Sequence, residues 1–429
     1  MKRIFLALFL AQVFVSAPTL AGNGMGLEQL IQEALISNPE IQAAKASLLA
    51  AEARIPQAGA WDDPRASVEF SNVPVGDPSL KRTPMSGIQY GLKQNIPFPG
   101  KKGTSKKKAS LQSDAEALKA QDTIGKIIWE LQHHYYQYFL ITRSIDIIKR
   151  NQNISKELVA ISQQKFASNM STEQDVLKAQ IDYGSTAEQL LDLEKEQTSL
   201  RSHIEFLVGH ALEEKLLFSK NTPNSKISPE AKILFAKAQK TNWRYLISQK
   251  QIDVAKMEKR LATLSALPNV DLGLAYRQRA FMANDPVQGE DFFSVSLSVP
   301  LPIFAARKQN KKILESKALL QQSQALAQST KNRLSSSLEE ITAELKRTQK
   351  KQTLIRQALL PQAKAAFANS KSAYQTGKIE FINVLTNQLS VQHFELELVA
   401  AETSSAQAVA KLNYLLGKNF ASPRGESHE

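Results

Sequence analysis

The sequence predicts a mainly helical chain with a small membrane β part, written as one structural unit twice over. Three observations lead there. Landmarks recur in one order at an offset of about 204 to 208 residues. Long proline-free stretches carry apolar residues at steps of three and four. Four short segments alternate apolar with small or polar residues, and two of them run into a proline pair.

The repeat is the firmest of these. Asn38-Pro-Glu-Ile-Gln opens a helical stretch that ends near Trp61, and Asn242-Trp-Arg-Tyr-Leu opens its counterpart, ending near Leu267. Pro64 and Pro268 then open alternating segments, and Pro97 and Pro99 correspond to Pro300 and Pro302. "FASNMSTEQDVLKAQ" (166–180) aligns with "YQTGKIEFINVLTNQ" (374–388), and "IEFLVG" (204–209) with "LNYLLG" (412–417). The period is far too long for a solenoid. The division that follows is a first repeat over 22–209, a polar, proline-bearing connector over 210–229, a second repeat over 230–417 and a tail over 418–429.

Residues 1–21 read as a signal peptide. Lys2 and Arg3 precede an apolar run from Ile4 to Val15, then small residues up to Ala21. That run is below the roughly 20 residues that span a bilayer. A retained anchor is the competing reading. Removal of Lys2 and Arg3 would take the formal charge of +13 to about +11. Such a balance can mark nucleic-acid binding, but export and lysines scattered along helices point to solvated helix faces. No later segment suits a transmembrane helix, so entry into a membrane would require a β-barrel.

Each repeat holds one long helical hairpin, over about 101–208 and about 304–416. Lys101 to Ser168 lacks proline. Ile124, Ile128, Leu131, Tyr135, Tyr138, Ile141, Ile145 and Ile148 form a coiled-coil-like seam. At 1.5 Å per residue the helix would reach on the order of 100 Å, against about 11 residues for an average helix. At the first turn, Ser171 with Gln174 fits a capping box, and Glu173 and Asp175 suit the positive helix end. Asn169 and Gly377 supply the two helix stops. Pro361 should kink or break the second ascending helix.

The strands span about 64–73, 86–97, 268–280 and 291–300. Ala66, Val68 and Phe70 share one face of the first; Ile88, Tyr90 and Leu92 of the second. Val270, Leu272, Leu274 and Tyr276 share a face of the third, and Phe293, Val295, Leu297 and Val299 of the fourth. A soluble sandwich and a lipid-bounded, water-filled barrel both give this alternation. Small polar residues on the other face favour the barrel. So do export, the long hairpins and aromatics near strand ends (Trp61, Phe98, Tyr276, Phe281, Phe292). Four strands leave unsatisfied edges in lipid, and known membrane barrels begin at about eight strands, so copies must share one barrel. Pro97 and Pro99, with Pro300 and Pro302, then mark the corners from strand to helix.

At these residues the chain resembles the TolC family of outer-membrane efflux ducts. The resemblance covers nearly the whole chain beyond residue 21. It rests on the duplicated plan, the two-strand inserts, the tip phrases around "DVLKAQ" and "GKIEFINVLTNQ", and "LLPQAKAAFANSKSAYQTGK". It implies a homotrimer with a twelve-stranded shared β-barrel in outer-membrane lipid and an α-helical barrel through the periplasm. It also implies docking, through a periplasmic adaptor (membrane fusion) protein, to an inner-membrane pump of RND type. The adaptor would meet the hairpin tips, at Asn169, Met170, Ser171 and Thr172 and at Gly377, Lys378 and Ile379. "DDPRASVEFSNVP" (62–74) and "QNIPFPGKK" (94–102) look most like the heavy-metal branch, similar to CusC and CzcC. The cysteine that lipidates many members is absent. Where such ducts often carry acidic rings near the second tip, this chain has neutral Asn383 and Thr386. Glu173, Asp175 and Asp182 lie instead near the first tip. Asp175 and Asp182 are seven apart, hence on one helical face, and are expected to ring the periplasmic mouth. The plainer alternative is that Asp175 only stabilises a helix end and Asp182 is solvated.

No phosphate-binding glycine loop, nucleophile–base constellation or cysteine is present, so neither a cofactor nor enzymatic chemistry is expected. His133 and His134 are adjacent on a helix; His203 and His210 lack a third ligand at metal spacing, so no bound metal is expected. The function expected is passive conduction of cargo, heavy-metal cations foremost, from adaptor and pump to the exterior. A drug-type or secretion duct of the same family is the alternative. A soluble periplasmic coiled-coil adaptor fits less well, since it would carry one hairpin framed by compact β domains.

Overall fold

A computed structural model describes residues 24–76, 78–218, 230–281 and 285–418. The signal-peptide assignment, most of the connector and nearly all of the tail lie outside these residues. The first repeat runs α1 (Leu27–Ser37), α2 (Pro39–Gly59), β1 (Arg65–Ser71), β2 (Gly87–Ile96), α3 (Lys101–Ala167) and α4 (Glu173–Val208). The second runs α5 (Ala231–Thr241), α6 (Trp243–Leu264), β3 (Val270–Arg279), β4 (Phe292–Ser298), α7 (Gln309–Leu354), a π-helical turn (Ile355–Leu359), α8 (Leu360–Gln375) and α9 (Phe381–Leu415).

The 67 residues of α3 make a rod of roughly 100 Å. From Gln309 to Gln375 the second rod has the same span, interrupted by the π turn. Proline explains the interruption. Pro361 has no N–H to offer the carbonyl of Gln357, and the widened turn just before it absorbs the mismatch without ending the helix. The corners fall where the prolines predicted. Pro97-Phe98-Pro99 is followed by Gly100 (φ 91°) and α3. The second corner is longer than expected: α7 begins at Gln309 rather than about 304, after turns over 303–308.

The repeats build equivalent cores. In the first, Leu30 and Ala34 of α1 pack on Ile128, Leu131 and Tyr135 of α3 and on Ile204 and Val208 of α4. In the second, Leu234 and Ala238 of α5 pack on Leu334, Leu338 and Ile341 of α7 and on Ala408 and Leu412 of α9.

The recurring Asn and Gly landmarks meet in space. Asn38 caps α2 by accepting from the backbone of Glu40 and Ile41, while its Nδ2 donates to Leu207 O of α4 at 2.8 Å. Asn242 caps α6 by accepting from Tyr245, and donates to Leu415 O of α9 at 2.9 Å. Gly209 (φ 100°) and Gly417 (φ 60°) end α4 and α9 in left-handed backbone against Ser37 and Thr241. Each joint sets a short helix end-on to a long one.

Candidate channel wall and hairpin tips

The four strands form one antiparallel sheet in the order β1-β2-β3-β4. Register aligns the apolar positions into continuous rows. Val68, Tyr90, Tyr276 and Phe293 form one; Ala66, Leu92, Leu274 and Val295 form the next. These faces are open: Phe293 is 68% exposed and Leu297 70%. The opposite face aligns Ser67, Gly91, Ala275 and Ser294, then Arg65, Lys93, Gly273 and Ser296. It is low and polar. A Cβ on Gly91 or Gly273 would stand 2.5 or 2.4 Å from Ser67 or Ser296 Oγ, so the glycines leave room for the neighbouring hydroxyls. Charges of both signs line it, with Lys93 on Asp271 at 3.1 Å and Arg277 donating to Gln89 at 2.9 Å. One face suits hydrocarbon and the other water, and the outer edges of β1 and β4 have no strand partner among the described residues. Among the described residues no helix is long and apolar enough to cross a membrane.

Far from the sheet, the two hairpin tips are locked together. Phe381 and Val384 of α9 are fully buried with Leu158 of α3, Ala179 of α4 and Tyr374 of α8. Lys165 of α3 donates to Tyr374 O and lies 4.4 Å above the Tyr374 ring. Burial pushes the Tyr374 phenol up, so it remains protonated beside Ser171 Oγ at 3.3 Å. Lys371 pairs with Glu157 at 2.8 Å. Sequence reasoning missed this lock, because its partners lie some 200 residues apart.

The expected tip residues divide by role. Asn169 (φ 57°) and Gly377 (φ 75°) turn the chain as predicted. Met170, Thr172 and Lys378 are exposed, Met170 at 71%, while Ser171 and Ile379 are half-buried. The predicted cap is off by one residue: Thr172, not Ser171, is the N-cap and accepts from Asp175 N at 3.3 Å. Ser171 instead donates to the Asp175 carboxylate at 2.8 Å. Asn383 and Thr386 are exposed on α9, and Glu173 is exposed on α4.

The two expected ring residues have different surroundings. Asp175 and Asp182 do share a face; Asp175 is half-buried and accepts from Ser171, whereas Asp182 turns onto α3. Asp182 is 9% exposed and accepts from Ser155 Oγ at 2.5 Å; Gln388 Nε2 donates to the same Ser155 oxygen at 2.8 Å. Heptad spacing identifies a shared face but not what covers it. Asp182 thus joins α3, α4 and α9 and is shut off from a passing cation. Asp182→Asn should cost about 1–3 kcal/mol, the range for disturbing a buried charge-assisted hydrogen bond, with single-channel ion selectivity unchanged. A large change in selectivity at unchanged stability would restore the ring.

The histidines are closer than their spacing revealed. His134 of α3 stacks on His203 of α4 at 5.2 Å, and His133 lies 5.5 Å from His134. Among the described residues, no three His, Cys, Asp or Glu form a metal-holding group. Burial lowers His133, helped by His134 and Lys411. Burial also lowers His134, helped by His203 and opposed by Gln137 and Glu130. A folded-state pKa below the unfolded value of about 6.5 means the unfolded chain binds more protons, so stability falls as pH drops through that value. The thermal midpoint in detergent should therefore fall between about pH 7.5 and 5.5. A His133→Gln, His134→Gln variant should fall less; an equal fall would clear these two residues.

Comparisons with known proteins agree with this architecture. The family described as "Outer membrane efflux protein" matches residues 30–210, nearly the whole first repeat. The outer-membrane channel OprN has the same fold, with a TM-score of 0.80, 18% identity and coverage of 92% of this chain and 90% of that one. The outer membrane protein VceC of Vibrio cholerae gives 0.76 at 18% identity over 91% and 96% of the two chains. CusC, described for conformational changes accompanying folding and transmembrane channel formation, gives 0.77 at 14% identity over 91% and 92%. No curated protein matches significantly. The chain therefore shares the fold of these outer-membrane channels, mainly helical with four antiparallel strands. The likeness to CusC falls between those to the other two channels by TM-score and below both by identity, so it does not single out a heavy-metal branch.

Proposed function

From a chain whose residues 30–210 match the outer membrane efflux protein family and whose whole described length has a channel fold, we propose a trimeric outer-membrane exit duct. It passively conducts cargo from a periplasmic adaptor and an inner-membrane pump to the exterior. The observation that carries this is the sheet. Its apolar rows are in register across all four strands, its other face is polar, and its two edges lack partners. Three copies would give twelve strands and remove every edge. The rods of α3 and α7–α8 then continue the wall away from the membrane, and the exposed tip residues Met170, Thr172 and Lys378 offer the adaptor a docking end.

The cargo proposed is heavy-metal cations, on the resemblance of residues 62–74 and 94–102 to that branch. In the fold these segments build the sheet and its junction: Asp62 pairs with Lys102 at 2.9 Å. They lie on the duct's frame, in keeping with selection of cargo by the pump. Purified protein in planar bilayers should form long-lived conducting pores; no conductance from inserted trimers would defeat the duct. A strain lacking the protein should become sensitive to a subset of metals and regain resistance on complementation. Sensitivity confined to organic drugs would leave the duct standing and replace the cargo.

A further inference from the structure

We propose that the foot of the second hairpin binds the headgroups of anionic phospholipids in the leaflet where the helices leave the barrel. The inference rests on the membrane reading of the sheet and adds a lipid chemistry to it. Val295, Leu297 and Val299 lie on the apolar face of β4 and its continuation; Leu301 keeps the same parity, and Ile303 and Phe304 follow in the turns before α7. Leu301 and Ile303 are both 78% exposed and Phe304 is 70% exposed. Among the described residues these side chains are largely uncovered, and they extend the apolar run beyond β4.

Cations follow at once. Arg307, Lys308, Lys311 and Lys312 are all exposed, and no acid occupies the first turn of α7. Among the described residues none of the four has an ion pair. The first repeat differs. There Lys102 pairs with Asp62 and Lys108 with Glu258, leaving only Lys106 and Lys107 of that corner exposed without an ion pair among the described residues, and Phe98 is half-buried.

A cavity of about 430 Å³ opens between the two elements of this corner. Lys101, Lys308 and Lys312 line it together with Leu301, Ile303 and Phe304. Lys101 bonds only uncharged oxygens, Leu267 O at 2.6 Å and Asn269 Oδ1 at 2.7 Å. Asp271, the acid in the wall, is engaged by Lys93 and Asn95. The cavity thus combines three lysines and an apolar lip from the run past β4 with Asn95 and Asp271 from the water face of the sheet. Cations level with the headgroups above apolar side chains at the acyl boundary match an anionic lipid in both charge and depth. A soluble anion would use the lysines and leave the lip unexplained.

The test is native mass spectrometry of trimers released from nanodiscs holding equal phosphatidylglycerol and phosphatidylethanolamine with identical acyl chains. Wild-type protein should retain phosphatidylglycerol about tenfold over phosphatidylethanolamine. The R307Q/K308Q/K311Q/K312Q variant should fall to near parity, and K311Q/K312Q should fall part way. K346Q/K350Q, which removes exposed lysines higher on α7, should match wild type. Inorganic phosphate at matched ionic strength should leave the preference intact. Undiminished preference in the quadruple variant, or its loss to inorganic phosphate, would overturn the lipid site. A trimer that inserts and conducts with no lipid preference defeats this proposal alone; protein that neither inserts nor trimerises defeats the duct beneath it.

Discussion

Gly417→Ala is expected to destabilise the chain by about 3 kcal/mol or more, among the largest effects of a single methyl group here. Gly417 sits at φ 60°, and a Cβ would stand 2.0 Å from the backbone oxygen of Thr241. That oxygen belongs to the residue before the Asn242 cap, which is itself bonded to Leu415 O. The added methyl must therefore push α6 off the end of α9 or break the cap, and either opens the joint. Gly209 faces Ser37 O in the same way, with a Cβ at 2.8 Å, and should show a smaller loss of the same kind. Gly377 supplies the control. Its φ is 75° but nothing lies within 4 Å of a Cβ, so alanine there should cost only backbone strain, about 1 kcal/mol. Guanidinium unfolding of the detergent-solubilised protein ranks the three. Hydrogen exchange over residues 405–417 keeps the comparison readable if the Gly417 variant folds poorly. Equal losses at Gly417 and Gly377 would show that the joint contributes no steric constraint.

Phe381→Ala should separate the tips. Phe381 is fully buried, stacked edge-on to Tyr374 at 5.5 Å, and it holds α9 to α3 and α4. Removing the ring costs about 3–5 kcal/mol in a core of this kind. The remaining ties are Val384, Leu158 and Ala179 of the same core, Lys165 and Ser171 on Tyr374, Lys371 on Glu157 and the Ser155 bonds to Asp182 and Gln388. The chain has no cysteine, so spin labels at Met170Cys and Lys378Cys report the tip spacing cleanly. The variant should show a longer, broader distance distribution and, in bilayers, more time in conducting states. Phe381→Leu should stay near wild type. An unchanged distribution in Phe381→Ala would mean that the remaining ties suffice.

Legibility in the sequence followed the range of the interaction. Strands were readable because alternation at Val295, Leu297 and Val299 is a local consequence of the pleat. The joints were half readable. A cap needs Asn38 or Asn242, and a left-handed stop needs Gly209 or Gly417, so both recur. That each Asn bonds the helix ending at its Gly is visible only in three dimensions. The tip lock was unreadable because Lys165 and Tyr374 meet across the two repeats. The first-tip cap shifted from Ser171 to Thr172 because either hydroxyl can serve and only backbone geometry decides. The role of Asp182 failed for a related reason: its spacing from Asp175 was correct, but Ser155 on another helix fixes its surroundings.

All of this depends on the bare edges of β1 and β4 being completed by other copies of the chain. Native mass spectrometry of the protein, with and without detergent, tests that most directly. A single trimeric species is expected, one that requires detergent or lipid and loses its folded state when stripped of both. A monodisperse monomer, folded and stable in plain buffer, would contradict it.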